Sequence, residues 1–381
     1  IIPLFVSKLS SSMIPVGLVA MLSQGGWFLP QLFSANWVER LPRRKPMVVN
    51  LGFFLERLPT WLLVPAAIVA GVWPLLGLFL FLIFFAWRDL GGGFVGPAWQ
   101  DLVARVIPVQ RRGSYWGLTS ALGTGLGLGA ASLSAWLLAT YPFPTGFVFI
   151  FLLAAVAVTV SWFFLALARE PAQEVRTPRT SQRQFLSNLP GLLRADERFR
   201  RFLVAYGLLT LGGMGLGFVT VVAIRRFGVA DSTVGIYTGV MLLGQGLGSL
   251  FFGVLADRRG HKLSLEWSAA AFALAFLLAW LAPAPGWYYI VYFLLGLGTG
   301  ARLVSGLLVV LEYAQPERRP TYVGVANTTV GLIAMTGPLL GIWLADISHD
   351  LLFALSAIIS LAALAVLHWR VREPRWVDTV T

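Results

Sequence analysis

Eleven long apolar runs decide what this 381-residue chain can become. They cover 14–36, 47–70, 75–99, 114–139, 145–168, 202–224, 232–254, 263–282, 286–311, 322–345 and 350–369. At 1.5 Å per helical residue, about twenty residues cross the roughly 30 Å hydrocarbon core of a bilayer. Barrel strands are shorter and alternate polar with apolar residues, so the runs read as helices. The expected class is an all-α polytopic membrane protein. Composition agrees: 57% of residues are apolar, 12% are charged, and the mean hydropathy is +0.77. A water-soluble enzyme, a disordered chain and a fibrous repeat are excluded. With no cysteine there is no disulfide framework, thiolate metal site or Cys nucleophile. His261, His349 and His368 lie far apart, so neither a metal nor another cofactor is expected.

The net charge of +12 is distributed by topology. One alternate set of loops and ends holds 23 of the 29 Lys and Arg, and the other holds Lys8, Arg225 and Arg226. Arg57, Arg88 and Arg302 fall inside spans. Such an asymmetry marks the first set, and with it the C-terminus, as cytoplasmic. Basic loops are then expected to meet anionic lipids and not nucleic acid. Counting eleven crossings back from the C-terminus puts Lys8 outside, so Ile1–Val6 reads as the outer end of a helix whose remainder is missing. Numbering helices as if there were twelve makes 14–36 helix 2. The polar stretch 169–201, with Pro171, Pro178 and Pro190, separates the halves. Within it Phe185, Leu186, Leu189, Leu192 and Leu193 suit a short interfacial amphipathic helix. The expected organisation is an N-terminal bundle (1–168), a cytoplasmic linker (169–201), a C-terminal bundle (202–369) and a cytoplasmic tail (370–381).

The two halves echo each other. After helix 8 comes Gly253-Val254-Leu255-Ala256-Asp257-Arg258-Arg259-Gly260-His261-Lys262; after helix 2 comes Glu39-Arg40-Leu41-Pro42-Arg43-Arg44-Lys45. Arg111-Arg112-Gly113-Ser114-Tyr115-Trp116-Gly117 after helix 4 matches Arg318-Arg319-Pro320-Thr321-Tyr322-Val323-Gly324 after helix 10. These segments resemble the major facilitator superfamily, whose loop signature reads G-x-x-x-D-R-x-G-R-[RK]. Gly253–Lys262 is similar to that signature almost throughout. The first-half copy has Glu39 for Asp and Pro42 for Gly. Arg88 ahead of Gly91, Gly92, Gly93 and Gly96 resembles the family's helix-4 pattern. Two features depart from subfamilies. Helix 5 lacks the Gly-Pro of antiporters, which occurs instead as Gly337-Pro338 in helix 11. The Pro-Glu-Ser-Pro-Arg type of sugar-porter motif is absent from the linker.

The resemblance implies two pseudo-symmetric six-helix bundles, here eleven complete helices and a stub of the first. It also implies a latch at the cytoplasmic loops, with the loop acid set against a helix N-terminus, where the dipole favours a carboxylate. The candidates are Glu39, Arg40, Arg43, Arg44, Gly253, Asp257, Arg258, Gly260 and Lys262. Asp101 is expected to pair with Arg43 or Arg44, and Glu312 with Arg258 or Arg259. In the family helices 1, 4, 7 and 10 line the cavity, which makes Arg88, Asp89 and Arg302 its candidate residues. Glu56 and Arg57 read as a structural pair, and Glu266 lies near the cytoplasmic end of helix 9. Central charges need partners or water. Arginines suit a carboxylate-bearing or otherwise anionic cargo, and Asp89 is the best proton carrier. Gln24, Gln31, Trp27, Trp87, Gln245, Ser249, Asn327 and Thr328 extend the lining, with interhelical hydrogen bonding as the commoner role.

Gly125-x-Gly127-x-x-Ala130 and Gly296-x-Gly298-x-x-Ala301 spell a dinucleotide fingerprint, but inside spans they read as small-residue helix packing. No phosphate-binding P-loop occurs. The expected function is a secondary active transporter of a small molecule, proton-coupled and working as an exporter. It would act as a monomer in a bacterial inner membrane; 26 Arg against three Lys fits a GC-rich genome. An uncoupled facilitator or a symporter is the alternative within transport. A polytopic enzyme or receptor is the competing class, and it lacks the convergent His/Asp/Glu or Ser/His cluster an enzyme needs.

Overall fold

The computed structural model describes residues 1–10, 12, 14–172 and 180–376; Pro178 and the last five residues of the tail lie outside them. The described residues form helices and no strands. In order they are α1 (Ile2–Leu9), α2 (Ile14–Phe28), α3 (Pro30–Val38), α4 (Leu58–Ala70), α5 (Pro74–Val106), α6 (Arg112–Thr140), α7 (Thr145–Ala166) and α8 (Gln182–Ala195). There follow α9 (Glu197–Gly212), α10 (Val219–Phe227), α11 (Asp231–Arg259), α12 (His261–Leu281), α13 (Trp287–Tyr313), α14 (Arg319–Ile347) and α15 (His349–Arg370). Two π turns, Met47–Leu51 and Phe53–Arg57, run into α4 and complete the span Met47–Ala70.

Among the described residues, ten helical runs are long and apolar enough to cross a bilayer, and the chain is an integral membrane protein. Ten of the eleven expected spans correspond to these runs. The eleventh, 14–36, is built as α2 and α3 in tandem, joined at Leu29. The cause is Pro30, which has no N–H to give the Gly26 carbonyl. The helix in the linker is present as α8, with Phe185 buried.

The chain divides into two compact units, each drawing on both sequence halves. The first holds Ile1–Val106, Gly127–Gln182 and Pro316–Leu332. There α5 packs against α2, α3 and α4, and α4 against α7. Phe5 of α1 sits in an aromatic core, with ring centroids 4.8, 5.2 and 5.3 Å from Phe81, Phe147 and Phe151. Where α2 meets α5, a Cβ on Gly93 would stand 2.1 Å from the Gly26 carbonyl oxygen.

The second unit holds Ile107–Leu126, Arg183–Gln315 and Ile333–Thr381. Its centre is α13 packed on α11 and α12, with α15 against α12 and α9. A Cβ on Gly296 would stand 2.0 Å from the Met241 carbonyl, and one on Gly300 2.4 Å from that of Gln245. Close helix packing is therefore the role of the glycines at 296–300. The same reading fails for Gly125 and Gly127, where an added Cβ meets nothing within 4 Å.

Gly93→Ala should cost about 1–3 kcal/mol, because backbone must move to admit the methyl. Gly191→Ala in α8, where a Cβ meets nothing within 4 Å, should be neutral or gain up to about 1 kcal/mol. Thermal melting of the detergent-solubilised variants checks both; equal effects would contradict the close approach of α2 and α5.

Candidate functional site

In each unit an acid near a helix end is set against the first turn of another helix. Asp257, near the end of α11, accepts the Gly113 N–H on Oδ1 and the Ser114 N–H on Oδ2, each at 2.7 Å. Both amides belong to the first turn of α6, where N–H groups have no intrahelical acceptor. A carboxylate there satisfies two donors and meets the positive end of the helix dipole. Only glycines allow the approach. A Cβ on Gly253 would lie 2.5 Å from the Gly113 carbonyl oxygen, and one on Gly117 2.3 Å from that of Ser249.

Glu39, just after α3, makes the matching contact with α14. The Thr321 hydroxyl donates to its Oε1, and the Thr321 N–H donates as well. The internal repeat explains the difference. Pro320 stands where the other half has Gly113, so one amide donor is lost. Thr321 replaces it with a hydroxyl. Burial pushes the Glu39 carboxyl above its ordinary value of 4.5, and Thr321, Arg318 and Arg44 pull it back in part.

Beside Glu39 lies a buried charge network within the first unit. Asp101 Oδ2 is 2.8 Å from Arg44 Nε and 3.1 Å from Arg105 Nε, and Arg319 stands 4.0 Å from Oδ1. The expected pair Asp101–Arg44 is therefore present, and Arg43 is exposed. Burial lowers the Arg44 pKa, while Asp101 opposes that shift. Arg40 bonds Asn36 at 2.7 Å. The Glu312 pairing is corrected: its partner is Arg375, and among the described residues Arg258 and Arg259 do not reach it. Arg375 lies beyond α15 and returns to donate to the Ala256 and Asp257 carbonyls at 3.1 and 3.0 Å.

Two further acids set against helix starts escaped the sequence reading. Glu170 accepts the N–H groups of Arg44 and Lys45, each at 2.8 Å, and stands 3.3 Å from Arg105. Glu373 accepts the Lys262 N–H at 2.8 Å and fills the space beside Gly260, whose φ is +88°. Burial pushes the Glu373 carboxyl up. The signal was a repeated tripeptide, Arg169-Glu170-Pro171 and Arg372-Glu373-Pro374, closing each half.

The intramembrane candidates are placed as follows. Arg88 Nη1 lies 3.6 Å from Asp89 Oδ1, and its guanidinium stands 5.8 Å from the Phe85 ring centre. Asp89 packs against Gly26. Glu56 and Arg57 bond to each other. Glu266 is 3.3 Å from Lys262 and 3.4 Å from His368. Arg302 is half-buried, with Nε lacking an acceptor. Asn327 Nδ2 donates to Gln31 Oε1 at 2.7 Å and to Gln100 Oε1 at 3.4 Å. Gln245 Nε2 donates to Thr124 at 3.2 Å. Gln24 is exposed, and Trp27 lies against Gly92.

The contribution of Glu39 to stability should follow its raised pKa. An acid of raised folded pKa favours the folded state below about pH 4.5, and that advantage is lost as pH rises through the folded value. The melting temperature of wild type relative to Glu39→Gln should therefore be higher at pH 5 than at pH 7.5. An equal or reversed difference would contradict the buried contact.

Residues 202–380 match the sequence profile of the Major Facilitator Superfamily. The "Multidrug resistance protein MdtL" of Shewanella sp. is 27% identical over 146 residues, covering 38% of this chain and 37% of its own. The "Niacin transporter NiaP" of Acinetobacter baylyi is 26% identical over 137 residues, covering 33% and 31%. The chain thus spans about a third of the length of the curated relatives it matches. In fold, the Escherichia coli fucose:proton symporter FucP superposes with a TM-score of 0.76 at 15% identity, covering 97% of this chain and 93% of that one. A bacterial homologue of the iron transporter ferroportin, in an outward-facing state, gives 0.75 at 15%, covering 96% and 93%. The second half of the chain thus carries the Major Facilitator Superfamily profile, and the chain as a whole shares the fold of these two solved structures.

Proposed function

We propose that the protein is a secondary active transporter that moves a small molecule by alternating access. The carrying observation is the pair of acid-to-helix contacts, Asp257 on the first turn of α6 and Glu39 on that of α14. Each joins an element of one sequence half to an element of the other. Each rests on a few hydrogen bonds at a helix end, which is what a contact made and broken in every cycle requires. In this reading residues 1–168 and 202–369 are the moving bundles, 169–201 links them, and the basic loops and the C-terminus face the cytoplasm. A bacterial inner membrane is its place, as a monomer.

Arg88 and Arg302 are the proposed partners of an anionic group on the cargo, and Asp89 the proton carrier. Relatives named for multidrug resistance and for niacin transport favour a small organic cargo. Export is the favoured direction. A symporter or facilitator is the alternative; Gly337-Pro338 in α14, with no Gly-Pro in α6, favours it over antiport.

The test is proton flux. The protein is reconstituted with a pH dye inside the vesicles and offered amphipathic cations, carboxylates, sugars and nucleosides. Compound-dependent change of internal pH is expected in wild type, with loss of about tenfold or more in Asp89→Asn. Flux unchanged in Asp89→Asn would remove that residue from coupling. Compound exchange without any pH change would favour the facilitator.

A further inference from the structure

Beside the Glu170 contact lies a cavity of about 460 Å³, lined among others by Arg43, Lys45, Asn50, Arg169 and Glu170. That volume is within the range of small-ligand sites. The acid does not neutralise the cations. Both Glu170 oxygens are held by the Arg44 and Lys45 N–H groups and by Arg105. Among the described residues, the side chains of Arg43, Lys45 and Arg169 have no ion-pair partner. Three uncompensated cations thus surround one hollow.

Depth in the membrane argues for the occupant. Arg169 lies three residues beyond the end of α7, whose last turns and C-cap expose Val160, Phe163, Phe164 and Leu167 by 50–66%. Trp162 pins this end to the start of the Met47 span, its indole N–H donating to the Val49 carbonyl at 2.8 Å. Bare apolar side chains therefore lead straight into a cationic hollow, the order of groups along a phospholipid read in reverse. We propose that this cavity binds the headgroup of an acidic glycerophospholipid. Its phosphodiester meets Arg43, Lys45 and Arg169 while its acyl chains lie along α7. The inference needs only that the chain spans a bilayer, and not that it transports.

The test is native mass spectrometry of the full chain with dioleoylphosphatidylglycerol and dioleoylphosphatidylcholine, which differ in headgroup alone. A cation near a membrane surface is worth about fivefold in binding. Wild type should prefer phosphatidylglycerol by about tenfold or more. Arg43→Gln/Lys45→Gln/Arg169→Gln should cut that preference by about fivefold or more. Arg198→Gln/Arg200→Gln/Arg201→Gln, which removes the same charge from exposed positions, should keep it, as should Arg43→Lys/Arg169→Lys. If the first variant aggregates, Arg169→Gln alone is read in the same way. An undiminished preference in the cavity variant, or an equal loss in the exposed-arginine variant, would overturn the proposal. Displacement of the lipid by equimolar glycerol 3-phosphate would also overturn it, assigning the cavity to a soluble phosphate ester.

Discussion

A carboxylate set on the free amides of a helix N-terminus is the interaction on which the rest depends. The first turn of α6 and that of α14 both present unpaired donors at the basic end. Asp257 answers one with two short bonds, and Glu39 answers the other with an amide and a hydroxyl. Such caps are worth about 0.5–2 kcal/mol each. That is enough to bias an equilibrium between two arrangements and too little to lock it. The glycines at 113, 117 and 253 follow from the same demand, since a side chain at any of them would hold α6 off α11.

Around these contacts the charges are arranged to stay satisfied. Asp101 and Arg44 are almost wholly buried, and a buried ion left alone would cost several kcal/mol. Asp101 therefore meets both Arg44 and Arg105, and Arg44 also donates to the Leu41 carbonyl. Glu170 and Glu373 do for the starts of the Met47 span and α12 what Glu39 and Asp257 do for α14 and α6. Each unit thus has two helix starts met by an acid: Glu39 and Glu170 in the first, Asp257 and Glu373 in the second. The two halves perform the same operation with different residues, and the exchange of Gly113 for Pro320 is matched by Thr321.

Long apolar runs made the helical fold legible, because a bilayer imposes length on any sequence that crosses it. The Asp257 and Glu39 contacts were legible through a short motif that occurs once in each half. Three things were not. Pro30 breaks the 14–36 run, since hydropathy does not register a missing amide donor. Arg375 reaches Glu312 because the chain turns back after α15, a long-range return that local pattern cannot reveal. Glu170 and Glu373 sit in a tripeptide too short to stand out until both copies are seen against helix starts. The glycines at 125 and 127 show the converse: a small-residue pattern that reads as packing and meets no neighbour.

The most direct measurement is the distance between spin labels on Gln110 and Arg259, both exposed and flanking the Asp257 contact, in a chain that has no cysteine to interfere. With Gln110→Cys and Arg259→Cys in proteoliposomes, the account predicts a short-distance population and a second, longer one. The longer one should gain weight when Asp257→Asn weakens the cap. A single distance, unchanged by Asp257→Asn, would contradict it and leave the contact as a fixed brace.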